Sequence, residues 1–133
     1  MKKKILITGI TGFVGSHMAD YLLSLDDNFE IYGLKRWHLS KLDFIYPILD
    51  KISLYDCDIT DPVSTLKTIS KINPDIIFHC AAESFVSPSW DHPHRYMSVN
   101  YQGTVNILEA LKNIDSKAYI HLPGSGEEYG KIY

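Results

Sequence analysis

Three glycines at a spacing of three, Gly9, Gly12 and Gly15, follow the apolar run Ile5-Leu6-Ile7 and lead into an amphipathic stretch. That succession reads as a strand, a tight turn and a helix. Gly9 lets the chain turn sharply off the strand, Gly12 lets backbone approach a pyrophosphate, and Gly15 lets the helix lie close to the sheet. The helix N-terminus then faces the anion. The spacing is G-x-x-G-x-x-G and not the G-x-G-x-x-G of the dinucleotide fingerprint, so the strand before it and the helix after it carry the reading. Thr11, Phe13 and Val14 join the three glycines as candidate cofactor contacts. The helix continues through apolar positions Met18, Tyr21, Leu22 and Leu25.

A chain of 133 residues with 45% hydrophobic content has room for one domain with a real core, spanning residues 1–133. A formal net charge of −3 and a pI near 6.0 give no basic footprint for nucleic acid. Lys2-Lys3-Lys4 reads as a solvated strand entrance. No apolar run approaches the roughly 20 residues of a membrane span, and the first strand gives way to glycine too soon for a signal peptide. The expectation is a cytoplasmic protein without membrane contact. Cys57 and Cys80 each end an apolar segment with no second ligand nearby, so they read as buried free thiols. No metal site is expected, and His92-Pro93-His94 reads as surface or packing.

Taken in order, Phe29 to Leu34 alternates as a second strand and ends at Lys35-Arg36. An acidic side chain at that place would accept from the adenosine ribose, whereas cations accommodate a 2′-phosphate. The cofactor expected is therefore NADP, with NAD as the alternative. Residues 39–48 suggest a short helix with apolar Leu42, Ile45 and Leu49 that stops at Pro47. A third strand from Ile52 runs into an acidic turn, with Asp58 and Ile59 near the adenine and Asp61-Pro62 opening a helix. That helix carries Val63, Leu66, Ile69 and Ile72 on its apolar face and stops at Asn73-Pro74. Residues 75–82 form a fourth strand, apolar on both faces as a central parallel strand is. Ala81 and Ala82 at its end leave space against a ligand. Residues 83–93, with Trp90 in the middle, read as an active-site loop that enters a long helix carrying Tyr96, Val99, Val105, Ile107, Leu108 and Leu111. The last strand is residues 118–122. Five strands alternating with helices call for an α/β, Rossmann-like, doubly wound parallel sheet of order 3-2-1-4-5, with ligand at the switch point between strands 1 and 4.

Gly9, Gly12 and Gly15, then Asp58, Ala81-Ala82, Asn100 with Gly103-Thr104, and Ser125 followed by Tyr129-Gly130 together resemble the extended short-chain dehydrogenase/reductase family. The match covers nearly the whole chain. Within that family the Ile7-Thr8-Gly9-Ile10-Thr11-Gly12 opening, residues 33–36, residues 82–86 with Ser89-Trp90, and residues 127–130 look most like GDP-mannose 4,6-dehydratases and GDP-4-keto-6-deoxymannose reductases. The resemblance implies a nucleotide-sugar substrate, a GDP-sugar first, a nicotinamide cofactor contacted also by Ser84 and Asn100, and dimers or tetramers. It gives Ser125 the role of hydrogen-bonding the sugar O4 and Glu127 that of the base. In a dehydratase, hydride passes from sugar C4 to the cofactor, the glutamate removes the C5 proton while water leaves from C6, and hydride returns to C6. Gly126 departs from the acidic or hydroxyl residue usual there in dehydratases, which mildly favours a reductase or epimerase.

The family's Tyr-x-x-x-Lys pair does not occur here, since Tyr129 is followed four residues later by Tyr133. The expectation is therefore the N-terminal part of a longer enzyme, cut before the last strands and the substrate domain, inactive alone and exposing an apolar edge. A non-catalytic dinucleotide-binding module is the alternative of another class. A serine hydrolase built on Ser125 fails, because Gly124-Ser125-Gly126-Glu127 lacks the G-x-S-x-G elbow and no later acid and histidine follow.

Overall fold

The computed structural model describes residues 2–25 and 28–131, the side chain of His38 excepted. Five strands form one sheet: β1 (Lys3–Thr8), β2 (Phe29–Lys35), β3 (Ile52–Asp56), β4 (Ile76–His79) and β5 (Tyr119–His121). Their order is β3-β2-β1-β4-β5, and every pair is parallel. The expected doubly wound sheet is the observed one. Ile5 pairs with Ile31 on one side and Ile76 on the other, which puts β1 at the centre.

The alternation of β1 divides the core into two layers. Ile5 and Ile7 pack with Ile10, Ala19, Leu22, Ile31, Ile45 and Ile48 under helix α1 (Phe13–Leu25). Leu6 faces the opposite side and packs with Ile69, Ile72, Ile77, Ile107 and Leu111 under α2 (Pro62–Ile72) and α5 (Gly103–Asn113). Each face of a parallel sheet must be covered in this way, because its strands are apolar on both sides.

Three local expectations are corrected. On α1 the residues that meet the sheet are Gly15, Ser16, Ala19 and Leu22, while Phe13, Tyr21 and Leu25 are each more than half exposed. Small side chains let the helix axis approach the sheet, and the bulky ones are turned out as a result. On α2 the buried set is Thr65, Thr68, Ile69 and Ile72, whereas Val63 is exposed. Thr65 tolerates burial because its hydroxyl donates to the Asp61 carbonyl at 2.8 Å. The segment expected as a helix over 39–48 is two 3-10 turns, Trp37–Leu39 and Asp43–Lys51, and Pro47 lies inside the second. Three residues per turn align Ile45 and Ile48 over the sheet, where both are buried, so tertiary burial carries the chain past the proline.

Residues 83–93 hold a one-turn helix α3 (Ser87–Asp91) inside the expected loop. The long helix after it is composite: α4 (Pro93–Tyr96), a π turn (Met97–Gln102), then α5. The fifth strand is three residues long, at one edge of the sheet, with Tyr119 81% exposed. Among the described residues no helix is long and apolar enough to cross a membrane.

Candidate functional site

The sheet order reverses between β1 and β4, and at their carboxyl ends the chain opens a cleft. Gly9 has φ +64, and a Cβ there would stand 2.8 Å from the Ala81 backbone. The turn after β1 thus lies directly against the segment after β4. Gly12 N–H donates to the Gly9 carbonyl at 2.9 Å, closing the turn that feeds α1.

A cavity of about 200 Å³ is lined by Gly9, Thr11 and Gly12, by Lys35 and Arg36, by Asp58 and Ile59, and by Ala81 and Ala82. These nine residues, named from sequence at four separate places, line one cavity. Glu83, Arg95, Ser40 and both cysteines line it as well. A more open depression of about 510 Å³ adjoins it, sharing Arg36, Cys57 and Asp58 and adding Trp37, Leu39 and Ser64.

The remaining candidates lie elsewhere. Phe13 and Val14 are exposed on α1, and Gly15 is buried where the helix begins. A Cβ on Gly15 would come within 2.4 Å of the Gly9 carbonyl oxygen, so the third glycine is required by the turn itself. Ser84 is exposed. Asn100 uses its side chain to clamp Glu83, accepting from the Glu83 N–H at 2.8 Å and donating to its carbonyl at 3.0 Å. Ser125 Oγ accepts from Glu127 N–H at 3.2 Å and caps a short 3-10 turn (Gly126–Tyr129); both residues are exposed. Tyr133 lies outside the described residues.

Charges in the cleft are arranged in pairs. Lys35 Nζ is bound to the Asp56 carboxylate, and Arg95 Nε donates to Glu83 at 2.9 Å. Among the described residues no carboxylate pairs with the Arg36 guanidinium, although Arg36 lines both depressions. Burial opposes ionisation of Asp58, but the N–H and hydroxyl of Thr60 and the charges of Arg95 and Arg36 outweigh it and lower its pKa. A carboxylate is therefore held ready at the end of β3. Burial raises the Cys80 pKa, which keeps that thiol protonated. Among the described residues no three His, Cys, Asp or Glu side chains cluster as a metal site.

Sequence reasoning placed Glu83 in the active-site loop but missed its partner Arg95, and missed Trp37 and Ser40. Glu83 and Arg95 are twelve positions apart across a proline-rich loop. No periodicity links two such positions, and only the fold of the loop does.

A family model described as GDP-mannose 4,6 dehydratase matches residues 6–133. The chain belongs to this family. A GDP-mannose 4,6-dehydratase of Vibrio cholerae is 32% identical to it over 142 residues, which cover 99% of this chain and 38% of that protein. The chain thus spans under two fifths of the length of that dehydratase. Among solved structures, the UDP-glucose 4-epimerase of Thermus thermophilus in complex with NAD superposes with a TM-score of 0.74 at 26% identity, over 84% of this chain and 34% of that one. The UDP-glucose 4-epimerase of Thermotoga maritima with UDP-glucose gives a TM-score of 0.74 at 26% identity, over 86% of this chain and 35% of that one. As a GDP-mannose 4,6-dehydratase family member, the chain is matched along 99% of its length by the Vibrio cholerae enzyme.

Proposed function

We propose that this chain is the dinucleotide-binding part of an enzyme that modifies a nucleotide sugar, with NADP as cofactor and GDP-mannose 4,6-dehydration as its reaction. The observation that carries the reading is the cleft itself. A glycine turn at the start of α1, a cation at the end of β2 and an ionised Asp58 at the end of β3 converge on one cavity. They fit the parts of a dinucleotide in order: pyrophosphate on the helix N-terminus, adenosine 2′-phosphate at Arg36, adenine beside Asp58 and Ile59. Bound there, the nicotinamide supplies a hydride acceptor and donor. Arg36 rather than Lys35 is assigned the 2′-phosphate, because Lys35 is already neutralised by Asp56. Thr11 and Ala81 line the path between the two ends.

Ser125 and Glu127 follow β5 at the same carboxyl edge of the sheet. That position supports the sugar-facing roles, with Ser125 on the sugar O4 and Glu127 removing the C5 proton, in an oligomeric cytoplasmic enzyme. One observation favours the second reading, a dinucleotide-binding module without chemistry. Neither Ser125 nor Glu127 lines the cleft, and the Ser125 hydroxyl is engaged as a cap.

Calorimetric titration of the chain with NADP and with NAD tests the cofactor. NADP is expected to bind more tightly, and Arg36→Ala to weaken it by about tenfold or more, the worth of a lost charge-assisted hydrogen bond, while leaving NAD little changed. Equal affinity for both cofactors in the wild type and in the variant would remove the NADP assignment. Assay of the full-length gene product with GDP-mannose then separates the enzyme from the module.

A further inference from the structure

Thr8, His79 and Thr104 form a polar line, buried at Thr8 and His79 and half-buried at Thr104, that none of the roles above employs. His79 ends β4 and is 7% exposed. Its Nδ1 stands 2.7 Å from Thr8 Oγ1 and its Nε2 3.0 Å from Thr104 Oγ1. The direction of each bond follows from its neighbours. Thr104 donates its hydroxyl proton to the Asn100 carbonyl at 2.7 Å, and a carbonyl only accepts. With that proton committed, Thr104 accepts from His79, so the ring carries its proton on Nε2. Burial lowers the His79 pKa, so the ring is neutral and Nδ1 accepts from the Thr8 hydroxyl. Thr8 in turn accepts from the Ala81 N–H at 3.0 Å. Every member is satisfied.

The line continues to Glu83, because Asn100, in the π turn, clamps both backbone groups of that residue. It therefore leaves the cleft wall at Ala81, crosses β1, β4 and α5, and returns to the wall two residues later. Ala81, Ala82 and Glu83 all line the cleft.

We propose that His79 is the positioning residue of the cleft. As a neutral Nε2–H imidazole it closes a hydrogen-bonded ring, Ala81 to Thr8 to His79 to Thr104 to Asn100 to Glu83, which holds residues 81–83 against the Gly9 turn. Its bearing on ligand rests on the dinucleotide reading, whereas the ring itself needs no ligand. Leucine at this position removes both bonds, leaving the Thr8 hydroxyl proton without an acceptor and Thr104 with only its bond to the Asn100 carbonyl. Glutamine keeps them, because its acceptor and donor are separated by one carbon, as Nδ1 and Nε2 are.

The test combines nitrogen NMR with amide hydrogen exchange on the chain without ligand, followed by NADP titration. The His79 spectrum is expected to show a protonated Nε2 and a bare Nδ1 at neutral pH. His79→Leu is expected to reduce protection at Ala81 and Glu83 together, by about tenfold for the bonds lost, and His79→Gln to restore both. Thr104→Val opens the ring on one side only, so Glu83 is released more than Ala81, and this variant carries the test if His79→Leu does not fold. NADP affinity is expected to follow the same order. A proton on Nδ1, or unchanged Glu83 protection in Thr104→Val, overturns the proposal. So does a loss spread evenly over β1 and β4, the signature of a packing residue. A ring that behaves as described in a chain binding neither NADP nor NAD would sustain the positioning role and remove the dinucleotide reading.

Discussion

Gly15 shows how much one hydrogen atom decides in this chain. Replacing a helical glycine by alanine ordinarily stabilises, because alanine is the better helix former by about 1 kcal/mol. Here the added methyl would meet the Gly9 carbonyl oxygen at 2.4 Å and the Ile10 Cα at 2.8 Å, all backbone atoms that cannot swing aside. The sign therefore reverses. Gly15→Ala is expected to destabilise by about 2 kcal/mol, the cost of overpacking, and urea unfolding of the two chains measures it. The positions of all three glycines were legible in the sequence, because their spacing after an apolar run admits few local structures. The detailed reason for the third was not: it was assigned to helix and sheet, and the structure shows it pressed against the turn two residues into its own loop. Asn100 makes the same point from the other side. Its neighbourhood was read from the chain, but its clamp on Glu83 depends on a contact seventeen residues distant.

At the scale of the element, termini were easier to read than faces. Asp61 caps α2 by accepting from the N–H groups of Val63 at 2.9 Å and Ser64 at 3.0 Å, and Pro62 occupies the first helical position. The helix ends at Asn73 in the left-handed conformation, φ 48, just before Pro74. Both ends follow from local chemistry that the sequence displays. Asp61→Ala is expected to cost about 1 kcal/mol and to lower the melting temperature by about 4 °C, read by circular dichroism. Faces were harder. Apolar spacing put Phe13, Tyr21 and Val63 inward, yet small and hydroxyl side chains occupy those interfaces. Periodicity shows which residues share a stripe but not which stripe the neighbouring layer can approach most closely. The 3-10 segment Asp43–Lys51 has the same cause, since burial of Ile45 and Ile48 overrode the stop signal at Pro47.

For the molecule as a whole, the buried His79 of the polar ring ties stability to pH. The ordinary histidine value is 6.5, and burial lowers that of His79 in the folded chain. As pH falls through 6.5 the unfolded chain takes up the proton first, so it binds more protons than the folded chain and stability declines. The decline ends once the pH is below the folded value. Asp58 acts in a lower window: its folded pKa is depressed, so its contribution is present above the ordinary carboxylate value of 3.8 and is lost as pH falls through the folded value. Urea midpoints are expected to fall as pH is lowered below 6.5 in the wild type and to fall less in His79→Gln, which carries no titrating ring. Equal slopes in the two chains would assign the effect to other histidines. The sequence by itself determined the alternation of strands and helices, the order of the parallel sheet, the glycine turn and the helix ends, because each depends on residues within a few positions of one another or on general rules of chain handedness. The tertiary structure alone decided which stripe of each helix is buried, which of two adjacent cations is already paired, and that Ala81 and Glu83 are joined through Thr8, His79 and Thr104. Those outcomes turn on distances between residues far apart in the chain, and such distances exist only once the sheet has formed.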